Sequence, residues 1–341
     1  KYFDQVIATA AGLAPTDLML RVLHYLGLRI VDMVTRLLPI AVYVGVLAFE
    51  FWSILSRRRA IHWISGRHPM RVLLPAAAVG HVFGALQYHL DVDWRPRAVL
   101  TQAAERLGAY GERYDRERIR KDVWFIAGDR IVHGDVRYGP PAELLDVDLF
   151  RIDPTGRIRE VVRAARAEAP PLSALWRFDL AERWVRDSDK RADLRLAPAP
   201  AQDLVPIPLH PLAVTYLGLP AKYVPQEDLR TIVASRADML VGAEHRVWLE
   251  VRDANALLPL AMALLAITVS FFAGASRPGF RVLIGCAMAG YAVHVGARVS
   301  VAAGELGELD PTIAAWAPVV ATFLAVPLLL AVVAWGRRWR A

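Results

Sequence analysis

Hydrophobic positions gather into five long runs: Leu37–Leu55, Val72–Leu90, Ala254–Ala273, Val282–Val301 and Ile313–Trp335. A helix needs about 20 apolar residues to cross a bilayer core about 30 Å thick, and each run approaches or exceeds that length. Interruptions are few: Glu50 in the first run, His294 and Arg298 in the fourth. The pattern predicts five membrane-spanning helices.

Between the second and third runs lies a polar stretch, Asp91–Arg252, with a shorter rhythm. Val123–Ile126, Ile131–His133, Val147–Ile152, Ile158–Val162 and Trp176–Leu180 are short strand candidates. Gly128-Asp129 and Asp153-Pro154-Thr155-Gly156 separate them as turns. Short strands between frequent turns predict a sandwich or jelly roll. Ala197–Pro211 reads as an extended Pro-rich linker, and Gln226-Glu227-Asp228 as the start of a short helix. These patterns make the chain an α-helical integral membrane protein with an inserted β domain, a sandwich or jelly roll. Residues 1–90 carry the first spans, 91–252 the β domain and 253–341 three C-terminal spans.

Two helices frame the first span. Ala14-Pro15-Thr16-Asp17 signals a helix start with Thr16 or Asp17 as cap. The helix from Leu18 runs into the span, with Pro39 as a kink point. After the span, Ser56–Met70 is short and basic. It predicts a brief helix at the membrane face, capped by Ser56 and ended by Gly66 and Pro69.

Composition agrees with a membrane location. Hydrophobic residues make up 55% of the 341, above the about 45–50% of soluble domains. Net charge is +7, and its placement matters more than its size. Arg57, Arg58, Arg59, Arg67 and Arg71 lie between the first two runs, Arg277 and Arg281 between the third and fourth, and Arg337, Arg338 and Arg340 after the fifth. Short basic segments mark the cytoplasmic side, and all three fall on one side if each run crosses once. The β domain then lies opposite, in the periplasm of a Gram-negative cell, with the multi-pass chain in the inner membrane. Five crossings start the chain outside. No signal peptide is visible at Lys1–Gln5, so a further transmembrane helix is expected before Lys1.

Sites of chemistry are sparse. A nucleotide loop needs Gly before its phosphate-binding Lys, yet Lys121, Lys190 and Lys222 follow Arg120, Asp189 and Ala221. Any ATP hydrolysis therefore belongs to another subunit. Zinc motifs are missing. No metal, cofactor, catalytic set or nucleic-acid partner is expected. Cys286 reads as a packing residue, and Glu50 as an interfacial carboxylate close to water, with a pair to Arg57–Arg59 or to another helix as the alternative. His294 and Arg298 share a helix face, Arg298 either functional or snorkelling to the interface. Gly279, Gly285, Gly290 and Gly296 mark close helix packing, or else a subunit interface or a gate.

The order of span, basic surface helix, span, β domain and three spans resembles the LptF/LptG family of lipopolysaccharide-export permeases, LptG more than LptF, without the family's first helix. The similar stretches are Lys1-Tyr2-Phe3-Asp4-Gln5, Gly45-Val46-Leu47 through Gly66 and Pro75, Trp124 with Gly128, Leu149–Ile152 with Asp153–Arg157, Leu258-Pro259-Leu260-Ala261, and Leu309-Asp310-Pro311 with Trp316 and Pro318. The resemblance implies the fold class of an α-helical integral membrane protein with an inserted periplasmic β-jellyroll domain, and the role of an ABC transporter permease subunit that extracts lipopolysaccharide and passes it to a periplasmic bridge toward the outer membrane. It implies four partners besides membrane lipid: an LptB-type ATPase dimer, an LptF-type permease, an LptC-type protein, and lipopolysaccharide itself. Lys1 matches a position that contacts the lipid head group, and Arg95, Arg97 and Arg106 match its basic neighbours more loosely. Arg57, Arg58, Arg59, His62, Gly66 and Arg67 match the segment that docks in the ATPase. There the family carries Glu in a Ser-Glu-Leu run, where this chain has Arg58.

Two rivals remain at this level. An ATPase-driven transmembrane regulator of a periplasmic cell-wall hydrolase shares the layout; a filled β core with an exposed helical hook would favour it, an open apolar groove the transporter. A lipid-modifying enzyme would need a catalytic constellation that the sequence lacks.

Overall fold

The computed structural model describes residues 14–65, 69–114, 119–137, 142–169, 175–186, 194–197, 204–205, 207, 209–235, 242–273 and 279–338. The chain forms two compact units: Lys1–Tyr25 with Leu100–His245, and Leu26–Val99 with Arg246–Ala341.

Helix α1 (Pro15–Leu55) is unbroken over 41 residues, about 60 Å at helical rise. It begins at Pro15, before the expected Leu18. Proline lacks an N–H and suits the first helical position. The Ala14 carbonyl accepts from the N–H groups of Asp17 and Leu18, both at 3.0 Å. Thr16 and Asp17 therefore lie inside the first turn and are not its cap. Pro39 is held within the helix.

After α1 the chain turns at Arg57, whose φ is +59°, into α2 (Arg58–Ile64). The expected Ser56 cap does not form. Its hydroxyl donates back to the Ser53 carbonyl at 3.4 Å, and the Arg57 carbonyl takes the first bond of α2 from Ile61 N–H at 3.2 Å. A 3-10 turn (Pro69–Val72) leads into α3 (Leu73–His89), a π-helical segment (Leu90–Trp94) and α4 (Arg95–Ala104).

Among the described residues, four helices are long and apolar enough to cross a membrane. They are α1, α8 (Ala243–Ser270, extended by a 3-10 turn to Ala273), α9 (Phe280–Glu305) and α10 (Pro311–Arg338, apolar to Trp335). The second predicted run is helical too. Its α-helix has 17 residues before the π segment intervenes.

Helix α8 is central: 72% of its apolar window is buried, against 11% for α9 and 17% for α10. Helix α3 approaches it without side chains in between. A Cβ on Gly80 would sit 2.6 Å from Leu260 Cα, and one on Gly84 2.2 Å from the Ala256 carbonyl oxygen. Spaced four residues apart, the two glycines bring backbone against backbone, as small residues do in membranes. Helix α1 meets α9 where the Tyr43 ring covers Gly290 and its hydroxyl donates to the Cys286 carbonyl. Cys286 is buried there. At Gly279, Gly285 and Gly296 a Cβ meets nothing within 4 Å, so of the four glycines singled out in sequence only Gly290 packs tightly. Where α8 begins, Trp316 of α10 donates to Glu250 at 3.1 Å, and Trp248 donates to Glu305 of α9.

The other unit is built on an antiparallel sheet: β1 (Ile119–Ala127), β2 (Arg130–Arg137), β3 (Glu143–Ile152), β4 (Ile158–Glu168), β5 (Trp176–Asp179), β6 (Glu182–Arg186), β7 (Leu194–Ala197) and β8 (Leu204–Val205). The order is β1-β2-β3-β4-β5-β8, with β6 pairing β4 and β7. Strand β8 lies in the segment expected to be a linker, and pairs with β5 through Leu204↔Arg177 and Val205↔Trp176. Short helices α5 (Gly108–Arg113), α6 (Pro211–Thr215) and α7 (Gln226–Ala234) complete the unit. Its core packs Phe125, Val132, Leu144, Val147, Trp176 and Phe178 under Leu209 and Val214. The Trp176 indole donates to the Leu209 carbonyl at 2.7 Å.

The β3–β4 turn is held by one carboxylate. Asp153 Oδ1 accepts from Thr155 N–H (2.9 Å), Thr155 Oγ1 (2.6 Å) and Arg157 N–H (2.9 Å), while Gly156 takes φ +80°. The Thr155 hydroxyl, then the Arg157 N–H, holds the Asp153 carboxyl below its ordinary value. A group with a lowered folded pKa stabilises above its unfolded pKa, and that contribution is lost as pH falls through the folded value. Thr155 and Arg157 amides should therefore keep their hydrogen-exchange protection as pH falls to the ordinary Asp value of about 4 and lose it at lower pH, ahead of the core amides; loss already above that value, or no loss before the core unfolds, would contradict this.

Candidate functional site

The expected coupling residues divide in two. Arg57 and Arg58 are exposed after α1, and Arg58 lies over the Trp52 ring at 4.3 Å. Arg59 turns inward and is 4% exposed. Its Nη2 donates to Glu50 Oε2 at 2.6 Å and to Ser270 Oγ at 2.7 Å, and its Nη1 to the Ser270 carbonyl at 3.0 Å. The guanidinium also stands 5.2 Å from the Phe271 ring centroid. One arginine thus ties α2 to the ends of α1 and α8. Glu50 is 6% exposed, which overturns its reading as a carboxylate near water: the pair with Arg59 is what forms. His62 falls within α2, but its side chain, with Gly66 and Arg67, lies outside the described residues, as does Lys1.

Removing one partner of a buried ion pair strands the other charge and costs about 3–5 kcal/mol. Glu50→Ala should therefore lower thermal stability in detergent more than Arg58→Ala, whose partner is an exposed ring. Equal losses would place the Glu50–Arg59 pair in water after all.

The basic residues expected at the head-group site also separate. Arg95 is buried, 3% exposed. Its Nε donates to Asp32 at 3.0 Å and its Nη1 to Asp91 at 3.2 Å. Asp32 further accepts from Arg36 at 2.7 Å, and Asp91 from Gln87 at 2.8 Å and Asn255 at 3.0 Å. Gln87 Nε2 also donates to the Thr35 carbonyl at 3.0 Å. These residues join α1, α3, the π segment, α4 and α8. Arg95 is therefore an interhelical tie, its donors already directed at two carboxylates. Arg298 donates to the Arg36 carbonyl at 2.8 Å, so it anchors α9 to α1. Arg97 remains exposed beside Asp93 at 2.7 Å. Arg106 is exposed in a left-handed turn, φ +52°.

A periodic signal announced this network. Gln87, Asp91 and Arg95 recur every four residues, and Asp32 and Arg36 share the same spacing. Polar groups repeating on one face at the end of a span must meet each other or water. The Gly80/Gly84 pair was equally visible, and sequence reasoning passed over both.

Between α1 and α3 runs an apolar cleft of about 570 Å³, lined by Leu38, Val42, Val46, Phe49, Val79 and Phe83 among others, with Glu50 at one end. Among the described residues no cluster of three or more His, Cys, Asp or Glu side chains is placed to hold a metal ion.

No curated protein matches the chain. The model of one family, described as lipopolysaccharide export system permease LptF/LptG, matches residues 18–332. That span takes in the long apolar helices, the basic turn after α1 and the whole β-sheet. Sequence, fold and family match converge: the chain belongs to the LptF/LptG family of lipopolysaccharide export permeases.

Proposed function

We propose that this chain is the LptG-like permease subunit of an ABC transporter in the inner membrane of a Gram-negative bacterium. Lipopolysaccharide leaves the outer leaflet past Lys1, Arg97 and Arg106 and passes to a periplasmic bridge. An LptB-type ATPase dimer supplies the work from the cytoplasm through Ser56–Met70. An LptF-type permease completes the transmembrane unit. An LptC-type protein adds its strands to the β domain at a sheet edge, a mode of joining that main-chain hydrogen bonds support.

The observation that carries the coupling part is Arg59. Because it is bonded to both Glu50 and Ser270, a displacement of α2 is passed to α1 and α8 rather than absorbed by a loose loop. Among the described coupling residues, Arg57 and Arg58 face outward and are available to meet the ATPase. Arg58 stands where the family has an acid, so a basic docking surface would be repelled by it. Arg58→Glu should raise the yield of an LptB-type ATPase co-purified with the permease pair severalfold. Unchanged or lower yield would mean that this chain's ATPase has an acidic dock, or that the partner permease carries the coupling.

One observation favours the regulatory alternative. The β core is filled: Trp176 and Val214 are fully buried, and α6 closes over it. Among the described residues, such packing fills the space that an apolar groove would need. Family membership weighs against the alternative, and a lipopolysaccharide adduct inside the β domain decides between them.

A further inference from the structure

We propose that the α1–α3 cleft is a binding site for one acyl chain of an anionic phospholipid from the cytoplasmic leaflet, distinct from the path of the exported lipid. Three features of the cleft lead there. Its lining among the described residues is apolar apart from Glu50, and that carboxylate is neutralised by Arg59. Its volume of about 570 Å³ is that of a small-molecule site. Its length fits a single lipid tail. From Leu38 to Glu50 along α1 the helical rise gives about 18 Å, close to the about 15 Å of one leaflet's hydrocarbon.

The rim opens sideways. Phe49 is 61% exposed, Val79 42% and Phe83 36%, so a tail can enter from the bilayer. Charge says which lipid. The end of the cleft at Val72 follows directly on Arg71, which is exposed and lies outside the segment given to the ATPase. A guanidinium group at head-group level favours a phosphate without a compensating ammonium. Gly45 completes the design. It lines the cleft, and a Cβ placed on it meets nothing within 4 Å, so a larger side chain there has room to extend into the cleft.

The leaflet assignment rests on the orientation proposed above. The test uses the full chain, assembled with its partner permease and ATPase in nanodiscs, and phospholipids carrying a photoreactive group in the tail. Adducts are mapped by peptide mass spectrometry. Tail-labelled phosphatidylglycerol should mark residues 38–50 and 72–83 at least fivefold more than the exposed faces of α9 and α10. Phosphatidylcholine should mark them less. Gly45→Leu should cut the cleft adducts at least fivefold and leave those on α9 and α10 unchanged. Arg71→Glu should abolish the preference for phosphatidylglycerol while the tail still labels the cleft. Should Gly45→Leu fail to fold, the Arg71→Glu comparison decides alone.

Uniform labelling of all spans would overturn the proposal. So would cleft adducts competed away by lipopolysaccharide but not by phosphatidylglycerol, or a cleft protected by the partner permease. Failure of the transport reading looks different: no lipopolysaccharide adducts at Arg106, with the cleft labelling intact.

Discussion

Replacing either aspartate of the buried network, Asp32→Ala or Asp91→Ala, should destabilise the protein by about 3–5 kcal/mol. Arg95 is 3% exposed and divides its donors between Asp32 and Asp91. With one carboxylate gone, its positive charge remains buried beside only one of the two, while Gln87 and Asn255, or Arg36, lose a carboxylate acceptor. The attraction within a pair barely exceeds the cost of desolvating both ions, whereas a stranded charge keeps the whole cost. It follows that the apolar double replacement Asp91→Leu with Arg95→Met should be milder than Asp91→Ala alone. Unfolding in detergent by thermal shift or by urea reads both. A single aspartate variant as stable as wild type would show that water reaches the network and that the tie is weak.

Gly84→Leu should be nearly as damaging, by about 3 kcal/mol. A Cβ there would overlap the Ala256 carbonyl oxygen at 2.2 Å, and backbone cannot rotate away as a side chain does. Helix α3 would have to leave α8, which in turn separates Gln87 and Asp91 from Asn255. Gly285→Leu is the matched control. A Cβ at that position meets nothing within 4 Å, and the change should stay within about 0.5 kcal/mol. Loss of monodisperse protein for Gly84→Leu but not for Gly285→Leu is the expected result. Similar behaviour of the two would mean that the α3–α8 contact is looser than the structure has it.

Much of the fold was legible because its physics is local. Long apolar runs can only be spans or core, and the turn at Asp153–Gly156 announces itself by residue type. The limits were those of tertiary context. The π segment at Leu90–Trp94 leaves no composition signal, so the second run reads as an ordinary span. Ser56 looks like a cap, but the left-handed turn at Arg57 sets where α2 starts. Strand β8 is two residues long and exists only because β5 is there to pair with it.

The site residues followed the same division. Arginine near the end of a span looks the same in sequence whether it faces a phosphate or a buried carboxylate. Arg97 and Arg106 face out, while Arg59 and Arg95 face in. Only the four-residue recurrence of Gln87, Asp91 and Arg95 distinguished the buried one in advance. Glu50 carried no such mark, since its partner lies nine positions away across the turn. The glycine-rich look of α9 drew attention from α3, whose two glycines make the closer approach.

The most direct test of the transport account is photo-crosslinking in cells, with a probe at Arg106 and another at Lys1, followed by blotting for lipopolysaccharide. The account predicts adducts at both positions that depend on ATP hydrolysis by the partner subunit. No adducts at either position, in a complex shown to be intact, would contradict it and leave the chain as a family member put to regulatory use.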